Sequence, residues 1–223
     1  MRGAPDTKQP VWDVPVRLFH WGLVVLVGLA WWTGENGNED LHFYLGYAIL
    51  TALIFRVLWG FLGSSTARFV NFVKGPRAVT HYVRQRFSWP VAGHAPLGAV
   101  SVIALLALVF FQVGTGLFAG DEDGLAQGPL AQFVSIDMSD TLRELHEEAF
   151  NVLLALIALH VAAILFYRFV LGKNLLGPMI TGRARLEPGV APMRAGKWWV
   201  ALICLGVGIG ITRWIIAGAP PFS

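Results

Sequence analysis

The chain has 223 residues, 55% of them apolar and 14% charged, with a formal net charge of +3. With a mean hydropathy of +0.58 it is too apolar for an ordinary water-soluble domain, and no nucleic-acid partner is expected. Its one cysteine, Cys204, excludes a disulfide framework, a cysteine-held iron–sulfur site and a Cys-x-x-Cys-His attachment for covalent haem.

In chain order, the first apolar segment covers about residues 16–34, carries Arg17 and His20 near its start, and closes on Trp31-Trp32-Thr33-Gly34, an aromatic anchor at a membrane interface. Asp6 and Asp13 precede it and no small-residue cleavage site follows, so it reads as a retained helix, not a signal peptide. The second segment, about 41–63, begins with His42 and is interrupted by Arg56. Pro76 to Phe87 mixes Val79, Tyr82 and Val83 with Arg77, His81 and Arg84, as expected of a short amphipathic helix on the inner interface. The third segment, about 96–119, follows Gly93-His94-Ala95-Pro96 and has no charge from Leu97 to Ala119. Gly120 to Arg143 is too polar to span and is expected to form one or two short pieces.

The fourth segment, about 144–170, carries His146 and His160, with no charge from Ala149 to Tyr167. Gly182 to Ala195, with Pro188 and Pro192, reads as a linker to a fifth segment, about 197–218, interrupted by Arg213. Each segment is long enough to cross a hydrocarbon core of about 30 Å. The expected fold class is all-α, an integral membrane four-helix bundle within 1–185, with a linker and one additional C-terminal transmembrane helix in 186–223.

Basic residues fall before or at the start of the first segment (Arg2, Lys8, Arg17), between the second and third (Arg68, Lys74, Arg77, Arg84, Arg86) and from the end of the fourth to the start of the fifth (Lys173, Arg183, Arg185, Arg194, Lys197). By the positive-inside tendency these loops are cytoplasmic, with the N-terminus inside and the C-terminus outside. The opposite loops gather Glu35, Glu39, Asp40, Asp121, Glu122, Asp123, Asp137, Asp140 and Glu144, with Arg143 as their one basic residue. Such an acidic face either simply solvates the surface or docks a basic partner such as a soluble cytochrome.

Four histidines sort by depth. Fourteen residues of helix place His160 roughly 21 Å beyond His146 and about 40° round the same face. His20 lies equally deep below the outer surface on an antiparallel helix, whereas His42 opens the second helix level with His146. The pairs His42 with His146 outside and His20 with His160 inside each offer two neutral imidazoles to opposite sides of a planar ring, as six-coordinate haem iron requires. An intramembrane histidine is costly without a partner, whereas one near the interface is not, so ligation is argued more strongly for the inner pair. His94, at the inner mouth of the third helix, competes for inner ligation against a loop or capping role.

Arg56, fourteen residues after His42, reaches the inner level on the ligand-bearing face, where haem propionates would meet its guanidinium; the alternative is snorkelling to the interface. Arg17 is open to the same role or to simple residence at a membrane boundary. Gly98 and Gly116, about 27 Å apart along one helix face, would make room for two flat macrocycles or serve close helix packing.

Val11-Trp12-Asp13-Val14-Pro15-Val16-Arg17-Leu18-Phe19-His20-Trp21, Leu41-His42, Leu45-Gly46-Tyr47, Arg56 to Gly60, Gly75-Pro76-Arg77-Ala78, Gly93-His94-Ala95-Pro96-Leu97-Gly98, Thr115-Gly116-Leu117-Phe118, Glu144-Leu145-His146-Glu147 and Leu159-His160-Val161 together resemble the bacterial cytochrome b561 and nickel–iron hydrogenase cytochrome b subunit family, over about residues 11–185. The resemblance implies a four-helix haem-binding bundle in the bacterial cytoplasmic membrane holding two non-covalent b-type haems. His20, His42, His146 and His160 carry over as ligands of iron. It further implies electron transfer between the quinone pool and a periplasmic redox protein, a c-type cytochrome or a hydrogenase-like partner. The helix beyond residue 197 departs from that pattern. Two other readings stay open: a superoxide:quinone oxidoreductase on the same scaffold, against which the outer acids weigh, and a cofactor-free transporter or anchor subunit.

Overall fold

The computed structural model describes residues 8–89, 91–120 and 126–221. Arg2 and Asp6, and with Asp121, Glu122 and Asp123 part of the expected acidic face, lie outside the described residues. Among the described residues the chain is all-α apart from a two-residue ladder and an isolated bridge between Gly120 and Gln127. Its elements run β1 (Gln9–Pro10), α1 (Val14–Glu35), α2 (Glu39–Leu62), α3 (Phe69–Phe72), α4 (Pro76–Arg84), α5 (Pro96–Phe118), a 3-10 turn (Ala131–Phe133), α6 (Ile136–Phe169), α7 (Leu176–Thr181), β2 (Arg183–Ala184) and α8 (Trp198–Ile216). α1, α2, α5, α6 and α8 are long and apolar enough to cross a membrane. The chain is a multi-pass membrane protein. Large side chains such as Leu18, Trp32, Leu159 and Leu202 stand more than half exposed, a liability in water and the normal state of a lipid-facing helix.

Local chemistry sets the helix ends. Asp13 caps α1, its Oδ1 accepting the Val16 N–H at 2.7 Å, and Asn38 caps α2 by accepting the Leu41 N–H at 3.3 Å. Glu39 and Asp40 in the first turn of α2 favour the positive end of the helix dipole. Pro96 occupies the first position of α5, where its missing N–H costs nothing. Ser135 accepts the Met138 N–H at 3.3 Å; α6 therefore starts at Ile136, about two turns before residue 144, and its polar first turns extend past the apolar run.

Two compact units make up the chain. The first comprises Met1–Phe19, Arg56–Ala104 and Leu159–Leu202. Within it, β1 pairs antiparallel with β2, Gln9 opposite Ala184, and the Gly182 carbonyl accepts the N–H groups of Val11 and Trp12 at 2.8 and 3.1 Å. Gly182 has a φ of +80°, and a Cβ there would stand 2.8 Å from the Trp12 carbonyl oxygen, so the turn requires glycine. The segment read as a linker is thus tied down, further fixed by Met193 N–H to Pro10 O at 2.9 Å and Ser65 N–H to Arg194 O at 3.0 Å. Amphipathic α4 docks through Tyr82, which is buried and hydrogen-bonds the Tyr167 hydroxyl at 2.7 Å.

The second unit comprises His20–Phe55, Leu105–Ala158 and Ile203–Ser223. Leu53, Leu106, Val109 and Leu153 are buried there. α8 joins it by a close approach to α2: the Thr51 hydroxyl donates to Thr212 Oγ1 at 2.9 Å, and a Cβ on Gly208 would lie 3.0 Å from the Thr51 carbonyl. Small residues Cys204, Gly208 and Thr212 are the buried positions of α8, one helical turn apart, a spacing that lets helix backbones approach in lipid.

Candidate functional site

In the second unit, His42 and His146 face each other with ring centroids 6.0 Å apart and planes at 79°. His42 Nδ1 lies 2.8 Å from the Ala30 carbonyl oxygen, and His146 Nδ1 lies 2.8 Å from that of Gln112. A carbonyl oxygen only accepts, so both rings carry their proton on Nδ1 and keep the Nε2 lone pair for a metal. A second contact, Thr115 Oγ1 at 3.3 Å, steadies His146, and Gln112 Nε2 donates to the His146 carbonyl at 2.7 Å.

Glycines clear the space around these rings. A Cβ on Gly116 would stand 2.9 Å from His146 Cε1, and one on Gly34 would stand 3.3 Å from His42 Nδ1. Gly46 has nothing within 4 Å of such a Cβ. A cavity of about 290 Å³ is lined by His42, His146, Gly46 and Gly116, with Glu39 and Arg143 among its polar walls. Arg143 bridges Asp140 at 2.7 Å and Glu147 at 2.9 Å.

These residues fit a haem. Two imidazoles across one metal, at metal–nitrogen bonds of about 2 Å, have centroids about 6 Å apart. A donor pair suits a macrocycle that brings four nitrogens of its own, whereas a structural zinc site needs four protein ligands.

The first unit holds His160 and Arg56. His160 Nδ1 lies 3.2 Å from Ser101 Oγ. Arg56 is 2% exposed, with its guanidinium carbon 4.8 Å from the Phe69 ring centroid. Its Nη1 is buried without a hydrogen-bond partner among the described residues, and the Asp13 charge acts on it. Asp13 itself is engaged, capping α1 through Oδ1 and accepting Trp59 Nε1–H through Oδ2 at 2.9 Å. A buried guanidinium with an open donor is suited to a ligand carboxylate.

The remaining sequence candidates are spread out. His20 falls in the second unit, its ring edge-on to Trp21 at 4.9 Å. His94 packs between Trp12 and Phe72, with centroids 4.6 and 4.5 Å away. Arg17 donates through Nη2 to the Ile180 carbonyl. Gly98 opens onto space, with nothing within 4 Å of an added Cβ. No sequence pattern marks the carbonyls of Ala30 and Gln112, the Ser101 hydroxyl, the approach of Gly34 to His42 or the Asp13–Trp59 bond. Gln112 and Thr115 did carry a signal: a polar pair next to Gly116 inside an uncharged 97–119 run, where polar groups are expensive in lipid.

An all-α multi-pass membrane protein with facing imidazoles whose Nδ1 protons are fixed belongs, by fold and donor set, to the b-type membrane cytochromes. Residues 11–182 match the model of a family described as prokaryotic cytochrome b561, and the chain belongs to that family. A similar curated protein is the probable Ni/Fe-hydrogenase B-type cytochrome subunit of Azotobacter chroococcum mcd 1, 28% identical over 158 residues, covering 56% of this chain and 65% of the relative. The chain thus spans slightly under two thirds of that relative's length. No solved structure matches the chain significantly.

Proposed function

We propose that the protein is a di-haem b cytochrome of the bacterial cytoplasmic membrane, passing electrons between the quinone pool and a periplasmic redox protein. The observation that carries this is the His42–His146 pair, with both Nδ1 protons committed to backbone carbonyls and both Nε2 atoms left for iron. In this reading His20 and His160 also serve as iron ligands, His160 fourteen residues of helix beyond His146. The haems, when bound, would supply one-electron relay across the bilayer.

The chain's own groups prepare for that task. Ala30 and Gln112 hold the two outer rings in orientation and raise their basicity by accepting the Nδ1 protons. Gly34 and Gly116 keep side chains off the ring faces. Arg56 supplies a buried positive charge for a propionate. The periplasmic orientation of Glu39, Glu144 and Glu147 would present acids to a basic partner. The name of the curated relative favours a hydrogenase-like protein as that partner, alongside a c-type cytochrome.

The test is electron transfer in proteoliposomes with ferricyanide trapped inside and a quinol supplied outside. Internal ferricyanide is expected to be reduced only with haem-loaded protein, accompanied by a b-type reduced-minus-oxidised spectrum. A purified protein with no b-type spectrum, or haem-loaded vesicles with no internal reduction, would overturn the proposal.

A further inference from the structure

The first unit contains a second cavity, of about 340 Å³, with no histidine in its wall. Its wall includes Arg17 and Arg183, with Asp13, Trp59, Met193 and Trp198. Neither arginine forms an ion pair among the described residues. Arg17 Nε is buried and has no hydrogen-bond partner among them, although Nη2 is anchored on the Ile180 carbonyl. The one carboxylate in the wall does not neutralise this charge by contact, because both Asp13 oxygens are taken, by the Val16 N–H and by Trp59 Nε1–H.

The chain is shaped to keep the guanidinium there. Gly182 has a φ of +80°, and a Cβ on it would lie 3.0 Å from Arg17 Nη1. A side chain there would collide with the Trp12 carbonyl and crowd the Arg17 guanidinium. Arg183 follows at once, its backbone N–H held by Thr181 Oγ1 at 3.3 Å. Two cations so placed, with an open buried donor, call for an anion with several oxygens, and a guanidinium fork matches phosphate.

We propose that this cavity binds a phosphate-bearing anion through Arg17 and Arg183, and that its natural occupant is the headgroup of an anionic phospholipid. The lipid source follows from the surroundings. Val14 and Trp198, at the starts of α1 and α8, line the cavity and stand 57% and 74% exposed, giving an apolar rim at helix ends where tryptophan sits at the membrane interface. Basic pockets at the ends of membrane helices are suited to such headgroups. The inference needs no haem and does not rest on the ligand assignment.

The test uses the full-length protein in detergent, observed by native mass spectrometry after mixing with phosphatidylglycerol or phosphatidylcholine, with inorganic phosphate added in a separate thermal-unfolding arm. Wild type is expected to retain phosphatidylglycerol over phosphatidylcholine, and Arg183→Gln or Arg17→Gln to weaken retention about tenfold, the loss of one charge-assisted hydrogen bond. Exposed Arg183 makes Arg183→Gln the safer variant, and its absorption spectrum should equal that of wild type, showing an intact fold. Stabilisation of wild type by inorganic phosphate, lost in Arg183→Gln and without lipid selectivity, would assign the site to free phosphate while keeping the phosphate chemistry. Equal binding of both lipids with no phosphate effect, or undiminished phosphatidylglycerol retention in both variants, would overturn the proposal.

Discussion

The surroundings of His146 and of His160 differ in how firmly an imidazole is told which nitrogen to offer. His146 and its neighbour His42 each give Nδ1–H to a main-chain carbonyl at 2.8 Å, a partner that cannot reverse its role and is fixed by its helix. His160 instead meets a serine hydroxyl at 3.2 Å, which can donate or accept and can rotate. A carbonyl draws the Nδ1 proton and makes the imidazole a stronger electron donor; a hydroxyl does so less. The two helix-borne histidines are therefore expected to confer different properties on what they bind, the His146 site favouring the oxidised metal more.

The largest effect should come from removing a proposed ligand on the well-fixed side. His146→Ala or His42→Ala is expected to lower haem content from about two per chain to about one, read by pyridine haemochrome assay. The same assay on His94→Ala should still return about two, because His94 is packed between Trp12 and Phe72; a fall to one would move inner ligation to His94. Next in size is Gly116→Val. Its Cβ would begin 2.9 Å from the His146 ring, so the ring must turn from its carbonyl partner, and the low-spin electron-resonance signal of one haem should weaken or split.

A smaller effect tests the contrast itself. Ser101→Ala removes a neutral hydrogen bond worth about 1 kcal/mol, corresponding to roughly 40 mV in a one-electron potential. Potentiometric titration should show one haem shifted by up to that amount and the other unmoved. A shift of both, or of neither, would erase the distinction between the two surroundings.

The smallest expected change lies outside the spanning segments. Tyr82 is raised above the ordinary phenol value by burial and by its bond to Tyr167, so the fold keeps it neutral. Its contribution is complete below the unfolded value near pH 10 and is lost as pH rises through the folded value. Tyr82→Phe should cost about 1 kcal/mol of resistance to thermal unfolding at neutral pH. It should also flatten the loss of stability above pH 10.

Much of this was legible in the sequence because it depends on run length and helical spacing. The five apolar runs predict five long helices, and fourteen-residue spacing sets histidines at two depths. The polar first turns of α6 are not legible in apolar runs, because residues 136–143 continue the helix without apolar periodicity. Other features depend on pairs far apart in sequence. The Ala30 carbonyl reaches His42 only through the turn at Asn36–Asn38, and the segment after Gly182 is held by pairing with Gln9 and Pro10 and by bonds to Ser65. No local pattern announces either. Gly116 stands between these cases: its missing side chain is visible in the sequence, whereas only the fold shows that a Cβ there would meet His146 and that Gly98 faces open space.

Haem content and spectrum of the purified protein, compared with the four single histidine-to-alanine variants, test the di-haem reading most directly. About two b-type haems in wild type and about one in each of His20→Ala, His42→Ala, His146→Ala and His160→Ala is the predicted result. One haem in wild type, or two retained in His146→Ala, would contradict it.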